Sequence, residues 1–358
     1  MTAMTHTEGA VLTVDLGALV ANWRDLAARH PSGPTAGVVK ANGYGLGAGP
    51  VAAALYAAGC RHFFVAHLAE ALAIRDIVPG AMLAVLNGPI PGTEPGYVAH
   101  GLTPVLGSLD DIARWAGRDV PAILHVDTGM NRLGVDGRDL ATLRADPALL
   151  GGVSLRYVMT HLVSAEVADD PDNARQREAF AAVCGVFPGV ARSFANSSGI
   201  FLGPGFASDL ARPGAALYGI NPTPGAPNPM RAVVGLRTRV LQVRAIAAGE
   251  SVGYNATWRA ARPSLIATAC IGYADGWPRA LSNRGHAIFD GRVVPLVGRV
   301  SMDLTTFDVT ECPQIVPGSW LDLIGPGLPV DDIAGSAATN GYEILTSLGP
   351  RYARVYLP

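Results

Sequence analysis

Lys40 is the only lysine in the chain, and its side chain is the clearest candidate for a chemical role. The 358-residue sequence has 27 lysine and arginine residues, and the remaining 26 are all arginine. A surface cation needs only positive charge, which arginine provides equally well. An ε-amine can also lose its proton and form a Schiff base with a carbonyl group, which a guanidinium cannot do in water. Lys40 is therefore a candidate nucleophile or base.

The sequence around Lys40 predicts the end of a β-strand. Residues 35–39 form a short apolar run, and residues 42–49 are rich in asparagine and glycine. Strand ends of this kind carry the sites of α/β proteins. Two other interpretations stay open: a solvated surface cation, and a dinucleotide loop of the loose form G-x-G-x-x-A at residues 43–48. The second fits less well, because Lys-Ala-Asn separates the strand from the first glycine.

The order of apolar runs predicts a barrel. After a strand at residues 10–15 and a helix at residues 16–30 capped by Asp15, short β-rich runs alternate with helical patterns. They lie at residues 35–39, 62–66, 82–86, 103–106, 122–127, 155–160, 192–195 and 214–218. Eight such runs favour an α/β fold with an N-terminal (β/α)₈ TIM-type barrel over residues 10–230.

A second domain is predicted at residues 231–358. Prolines crowd residues 222–229, which cannot continue a helix or a central strand and are typical of a linker. Beyond them the pattern is mostly β, with one helical stretch at residues 342–348. The predicted strands lie at residues 232–246, 263–270, 286–297, 304–309 and 320–324.

Composition narrows the environment and the partners. The net charge is −2, the pI is near 6.4 and no basic block is present, which argues against nucleic acid or anionic membrane as a partner. Residues 1–9 lack the apolar core of a secretory signal. The four cysteines are scattered without a C-x-x-C pair, so neither a disulfide scaffold nor a zinc site is expected and no metal is predicted. We expect a cytoplasmic protein.

In a barrel, the residues at the strand ends would meet at one mouth. They are Lys40, residues 127–132, His161, residues 196–198 and residues 212–219. A lysine amine with arginine, histidine, hydroxyls and glycine amides suits an anionic cofactor that carries a carbonyl carbon, of which pyridoxal 5′-phosphate is the common one. Ser197, Gly214 and Tyr44 are candidates for binding its phosphate.

Each of these residues also has a simpler explanation. A buried His161 is more often a hydrogen-bonded core group than a catalyst, and Arg212 can be an ordinary salt-bridge partner. Asp127 begins an Asp-Thr-Gly triplet like that of aspartic proteases, but that chemistry needs two such carboxylates and the sequence has no second triplet. Serine-hydrolase and P-loop patterns are absent as well.

Taken together, the motifs resemble those of the alanine racemase family, the fold-type III pyridoxal-phosphate enzymes, along nearly the whole chain and in the same order. The motifs are Val-Lys-Ala-Asn-Gly-Tyr-Gly at residues 39–45, Val-Asp-Thr-Gly-Met-Asn-Arg at 126–132, Met-Thr-His at 159–161, Asn-Ser at 196–197, Arg-Pro-Gly-Ala-Ala-Leu-Tyr-Gly at 212–219, Val-Gly-Tyr at 252–254, Ile-Gly-Tyr-Ala-Asp-Gly at 271–276 and Gly-Arg-Val-Ser-Met-Asp at 298–303. The resemblance implies a barrel that binds the cofactor and a C-terminal β-domain that includes residues 10–15. It also implies a head-to-tail homodimer with shared active sites and the interconversion of L- and D-alanine, which supplies D-alanine for the cell wall.

Carried over by resemblance, Lys40 is the covalent attachment point of the cofactor and one catalytic base, and Tyr254 of the other subunit is the second base. Two bases suit the chemistry, because one group cannot easily reach both faces of a planar carbanion. Arg212 is implied to contact the pyridine nitrogen with His161 behind it. The remaining implied contacts are Tyr44, Ser197, Gly214, Ala215 and Tyr352 for the phosphate, Arg132 and the Met302 amide for the substrate carboxylate, and Tyr273 for the gate to the site.

The sequence departs from the family pattern in three places. His125 stands where many members have a lysine that can be carbamylated, so Arg132 must be oriented by something else. Residues 159–164 differ from the commoner form that contains an aromatic residue, and Asn255 replaces a usual glycine. The last two departures lie near the site and bear more on substrate preference than on reaction type.

Three other functions are compatible with parts of the pattern. A racemase of broader or serine-directed specificity would share every motif above. A barrel-type decarboxylase of basic amino acids has a similar plan, but such enzymes usually present a carboxylate to the ring nitrogen, where this chain has Arg212. A cofactor carrier without turnover would lack the C-terminal domain.

Overall fold

The computed structural model describes residues 8–358. The sequence predicts no secretory signal at residues 1–9. Residues 1–7 of that stretch lie outside the described part. The described chain divides into two compact units. One, the barrel unit, is formed by residues 19–231, and the other, the β-unit, by residues 8–18 together with residues 232–358.

The barrel unit contains a parallel sheet in which each strand lies next to its successor in the sequence. The strands are Gly37–Val38, His62–Val65, Met82–Val85, Thr103–Leu106, Ala122–His125, Leu155–Met159 and Ala191–Ser193. Each lies within a run predicted from the sequence, except that the last begins one residue earlier. Their side chains are mostly buried, as expected for parallel strands covered on both faces.

The eighth predicted strand is wrong: residues 214–218 do not form a strand. Instead Ala215–Tyr218 is a short 3₁₀-helix. The ring is closed a few residues earlier, where Leu210 bridges to Ser193 of the last strand and Ala211 bridges to Thr35 before the first. Residues 215–218 are almost fully inaccessible, and a short buried apolar run does not distinguish strand from helix by its pattern.

Helices follow the strands of the barrel unit. The first helix, Leu16–Arg29, begins as predicted at Asp15, whose Oδ1 accepts from the Ala18 N–H at 2.7 Å. Ser108 and Asp136 cap later helices in the same way. The remaining helices of this unit are Ala48–Ala57, Leu68–Ile74, Glu94–His100, Leu109–Trp115, Gly137–Ala145 and Pro171–Cys184.

The β-unit is built on one long strand, Val234–Ile246, which pairs antiparallel with three others. One of them is Ala10–Asp15, which joins this sheet as the resemblance implied and also pairs with Ala353–Leu357. The other strands are Ser251–Val252, Trp258–Arg259, Ser264–Ala269, His286–Phe289, Arg292–Pro295, Thr305–Asp308 and Trp320–Ile324, and the helices are Val330–Ser336 and Gly341–Ser347. Within residues 8–358, the helices are all too short or too polar to cross a bilayer.

Asn22 links the first helix to the end of the barrel unit. Its side chain is buried and donates to the carbonyls of Leu217, at 3.2 Å, and Arg231, at 3.0 Å. Its Oδ1 accepts from the Arg231 N–H at 2.8 Å. The amide therefore satisfies three backbone groups that lie about 200 residues away in the sequence.

We expect Asn22→Ala to lower the free energy of unfolding by about 2–4 kcal/mol, because it leaves these buried backbone groups without partners. Asn22→Asp has the same size but turns a carboxylate oxygen toward two carbonyls, so it should cost at least as much at neutral pH. Urea unfolding followed by tryptophan fluorescence measures both. Full stability of Asn22→Asp would show that packing, not hydrogen bonding, sets the role of this residue.

Candidate active site

Lys40 lies just beyond the strand Gly37–Val38, and its side chain is partly buried. The four residues after it all have positive φ: 52° at Ala41, 54° at Asn42, 63° at Gly43 and 53° at Tyr44. This left-handed turn costs roughly 1–2 kcal/mol for each residue that is not glycine. Only one of the four is glycine, so the surrounding contacts must hold the turn in place.

The electrostatic surroundings of Lys40 favour a neutral amine. Burial lowers the pKa of Lys40 below its ordinary value, the positive charge of Arg132 lowers the pKa further, and the carboxylate of Glu70 acts in the opposite direction. An amine must be deprotonated to attack a carbonyl carbon or to accept a proton. The lowered pKa increases the share of Lys40 amine that is free to react in either way.

Arg212 is a buried cation without a carboxylate partner. It is 5% exposed, and its Nη1 and Nη2 donate to Ser193 Oγ and to the Thr160 carbonyl, each at 2.5 Å. None of the ion pairs within residues 8–358 includes it. Burial lowers its pKa to about 10. A buried and uncompensated charge is costly, so this guanidinium is suited to an acceptor atom that the protein itself does not supply.

Two histidines near Arg212 stay neutral. Burial, followed by repulsion from Arg212, Arg132 and Lys40, lowers the pKa of His161 to about 3. The pKa of His125 is lowered to about 4 by burial first and then by Arg212 and Arg132, against the opposing effect of Asp127. At neutral pH both rings can accept a hydrogen bond without adding charge to a site that is already cationic.

Asp127 shapes the loop that carries Arg132. Its carboxylate accepts from the N–H groups of Gly129 and Met130 at 2.8 Å and of Asn131 at 2.7 Å. Asn131, next to Arg132, has a φ of 54°. The carboxylate is engaged by the backbone, so Asp127 is a loop-forming residue rather than a protease-like catalyst. These hydrogen bonds also fix the backbone directly before Arg132.

The candidates for binding a phosphate lie close to one another. They are Tyr44, Ser197 and Gly214. Ser197 Oγ accepts from the Gly214 N–H at 3.0 Å, at the start of the 3₁₀-helix Ala215–Tyr218. A Cβ added at Gly214 would lie 2.2 Å from the Tyr44 hydroxyl, so only glycine fits there. Two hydroxyls and the N–H groups of a helix start form a donor set that fits a phosphate.

Three predicted site residues lie exposed in the β-unit. Tyr254 is 69% exposed, Met302 54% and Tyr273 44%. The backbone joins two of them directly, since the Tyr273 N–H donates to the Ser301 carbonyl at 3.0 Å and the Ala274 N–H to the Met302 carbonyl at 2.9 Å. Tyr273 and Met302 therefore lie on one surface of the unit.

The turn at Tyr254 depends on left-handed backbone at Asn255, whose φ is 61°. That conformation explains why glycine is usual there and why asparagine is an acceptable substitute. Asn283 supports the same region, since its Oδ1 accepts from the Gly298 N–H at 2.6 Å and its Nδ2 donates to Thr257 Oγ1 at 3.3 Å.

Tyr352, the remaining predicted phosphate contact, belongs to the β-unit, whereas the others belong to the barrel unit. It is 5% exposed within the β-unit, and its buried hydroxyl has no hydrogen-bond partner there. Burial raises its pKa, and the charge of Asp275 raises it further. A buried hydroxyl that lacks a partner in the described chain can still donate to a ligand, so the implied phosphate contact of Tyr352 stays a prediction.

Several residues of the site were not singled out from the sequence. Thr160 and Ser193 hold Arg212, and Tyr218 stacks on Tyr44 with ring centroids 4.5 Å apart. Glu70, which acts on Lys40, was also missed. Only Glu70 carries a sequence signal: it is the third residue of the helix that follows His67, where an acid commonly completes an N-terminal capping box.

The comparisons with known proteins agree with these observations. The models of the alanine racemase N-terminal and C-terminal domains match residues 14–222 and 233–356. This chain belongs to the alanine racemase family. An alanine racemase of Acidiphilium cryptum is 60% identical over 349 residues, covering 96% of this chain and 98% of the relative. A catabolic alanine racemase of Mesorhizobium japonicum is 49% identical over 358 residues, covering 98% of this chain and 93% of the relative.

A solved alanine racemase structure from Bartonella henselae, described with covalently bound pyridoxal phosphate, is 44% identical. It superposes with a TM-score of 0.94, covering 98% of this chain and 99% of the other. The likeness to these alanine racemases therefore extends over both units and not over the barrel alone.

His125 gives a test of the neutral histidines. Its pKa is about 6.5 when unfolded and about 4 when folded, so below pH 6.5 the unfolded chain binds a proton that the folded chain does not. Stability is therefore lost as the pH falls from 6.5 toward 4. His125→Gln should remove about 1.4 kcal/mol of this loss per pH unit. Urea unfolding of both proteins at pH 6.5 and pH 5 measures the difference, and equal losses would contradict a neutral buried His125.

Proposed function

We propose that this chain interconverts L-alanine and D-alanine with pyridoxal 5′-phosphate as cofactor, in a two-base reaction. The observation that carries the proposal is Arg212, a buried guanidinium that forms no ion pair with a carboxylate within residues 8–358 and lies in the same barrel unit as the only lysine of the sequence. Family membership and the relatives named alanine racemase support the same function. The bound cofactor supplies a covalent link to the substrate amine and an electron sink next to the substrate Cα.

The barrel unit supplies the groups that would hold the cofactor. Lys40 would attach it covalently through the ε-amine. The phosphate would be bound by the hydroxyls of Tyr44 and Ser197 and by the Ala215 N–H, next to Gly214, whose own N–H donates to Ser197 Oγ. These groups are neutral donors, so they can bind an anion without needing a charged side chain of their own.

Arg212 would donate to the ring nitrogen, with His161 behind it. A guanidinium keeps its proton in proteins, so it donates a hydrogen bond without protonating the acceptor. A carboxylate in this position would favour a protonated ring nitrogen and a stronger electron sink, which suits decarboxylation. Arg212 therefore favours a reaction in which the Cα carbanion is reprotonated at once, as racemisation requires.

Racemisation needs proton donors and acceptors on opposite faces of the substrate Cα. Lys40 would serve one face, and the partner subunit's Tyr254 the other. The exposure of Tyr254 on the β-unit is what a residue contributed to another subunit needs. Arg132 and the Met302 N–H would bind the substrate carboxylate, and Tyr273 would gate its entry.

This proposal includes a homodimer in which each active site takes residues from both subunits. The absence of a basic block and the four free cysteines within residues 8–358 support a cytoplasmic enzyme. D-alanine made there would be available for the synthesis of peptidoglycan.

Replacing Lys40 tests the covalent role of its amine. Lys40→Ala should abolish the visible absorbance of the cofactor-loaded enzyme and its racemase activity. Lys40→Arg is the matched control, because it restores the positive charge but cannot form the covalent link. The control should be equally colourless and inactive. A visible band that survives in either variant would remove Lys40 from this role.

Replacing Tyr254 tests the second base. Tyr254→Phe should lower kcat by about 100-fold or more in both directions, because general acid–base catalysis from one face is lost, while the cofactor absorbance is unchanged. Turnover is measured by exchange of the α-proton with solvent and by formation of the opposite enantiomer. Unchanged rates would exclude Tyr254 as a base.

Mixing the two inactive variants tests which subunit contributes Tyr254 to each site. If each site takes Tyr254 from the partner, a Lys40→Ala and Tyr254→Phe heterodimer has one complete site, and random mixing should restore about a quarter of wild-type activity. Confirmed heterodimers without activity would contradict shared sites.

A further inference from the structure

The left-handed turn after Lys40 is held by a carboxylate from the neighbouring strand–helix unit. Glu70 Oε1 accepts from the Ala41 N–H at 2.6 Å. Ala41 is the first residue of the turn, with a φ of 52°. The peptide bond between Lys40 and Ala41 is therefore fixed on its N–H side by a charged acceptor, which is among the stronger hydrogen bonds available to a backbone amide.

The same carboxylate also accepts hydrogen bonds from the backbone just before the helix that contains Glu70. Its Oε2 accepts from the Ala66 N–H at 2.7 Å and from the His67 N–H at 3.2 Å. These residues directly follow the strand His62–Val65, which pairs with Gly37–Val38. One side chain thus joins the ends of two adjacent strands, and one of those ends carries Lys40.

Glu70 is also the carboxylate that acts on the Lys40 charge. Burial and Arg132 lower the pKa of Lys40, whereas Glu70 raises it. Asp127, the acid on the loop that carries Arg132, is occupied by three backbone N–H groups. The geometry of the turn and the balance of charge therefore point to the same residue.

We propose that Glu70 is a positioning residue for Lys40, which fixes the left-handed turn behind the amine and provides its counter-charge. This inference rests on the proposed function, in which Lys40 holds the cofactor. The simpler alternative is that Glu70 only caps the helix Leu68–Ile74, as its place in that helix would allow.

Asp111 provides a matched control. It is the third residue of the helix Leu109–Trp115, and its Oδ2 reaches back to the Gly107 N–H at 3.0 Å, just as Glu70 reaches back to Ala66. Its carboxylate is not among the groups that act on the Lys40 pKa. Asp111→Asn therefore reproduces the loss of a helix-start carboxylate without the loss of a contact to the lysine turn, and it also removes the ion pair between Asp111 and Arg114.

The experiment uses the cofactor-loaded holoenzymes of wild type, Glu70→Gln, Glu70→Asp and Asp111→Asn. The visible absorbance of the bound cofactor is titrated with pH, and thermal unfolding is followed in parallel. Glu70→Gln should move the absorbance midpoint down by about 0.5–1 pH unit, because the partly exposed counter-charge of Lys40 is lost. It should also lower kcat/KM by about tenfold. Glu70→Asp keeps the charge, so its midpoint should lie closer to that of the wild type.

Asp111→Asn should lower the melting temperature and leave the absorbance midpoint unchanged. If Glu70→Gln behaves in the same way, Glu70 is only a helix cap and the inference is overturned. Should Glu70→Gln fail to fold, the Glu70→Asp midpoint decides: a shift as large as that expected for Glu70→Gln overturns the counter-charge role. A wild-type protein with no Lys40-dependent visible band would overturn the proposed function itself, which keeps the two failures distinct.

Discussion

The surplus of positive charge around Arg212 is the constraint on which the rest of the site depends. Arg212 is buried and forms no ion pair with a carboxylate within residues 8–358, and Arg132 adds a second positive charge to the same surroundings. A folded protein can hold these groups together only if the other titratable residues stay neutral. The lowered pKa values of His161 and His125 meet that requirement. The lowered pKa of Lys40 follows from the same surroundings and makes the amine reactive.

The parallel barrel explains why these groups can be placed so closely. The candidate residues of the barrel unit follow different strands or the closing bridges, and two of them are fixed by contacts with the backbone. Arg212 donates to the Thr160 carbonyl, and Asp127 binds the N–H groups of its loop. The sheet provides the position, and local hydrogen bonds provide the orientation.

The residue types at the candidate site could be predicted from the sequence more completely than their geometry. A single lysine, followed by glycine and asparagine after an apolar run, was enough to predict a candidate reactive amine, because few residue types can form a Schiff base. The strands from His62–Val65 to Leu155–Met159 were predictable because buried parallel strands are continuous apolar runs. Residues 214–218 were misread for the same reason, since a buried 3₁₀-helix is equally apolar.

Other features had no local signal. The left-handed turn at residues 41–44 contains one glycine, so composition alone does not predict four positive φ values. The contact between Glu70 and Ala41 joins residues 29 positions apart, and it depends on which strands are neighbours. The missing carboxylate beside Arg212 is a property of the folded surroundings, which only the structure describes.

His125 has a consequence for how the protein responds to its environment. A lysine carbamate is made from dissolved carbon dioxide and is lost again when that gas is removed, so an enzyme that depends on one is sensitive to bicarbonate. An imidazole forms no lasting adduct of this kind. In this chain the carboxylate of Asp127 holds the backbone directly before Arg132 through three N–H groups, and these contacts do not depend on dissolved carbon dioxide.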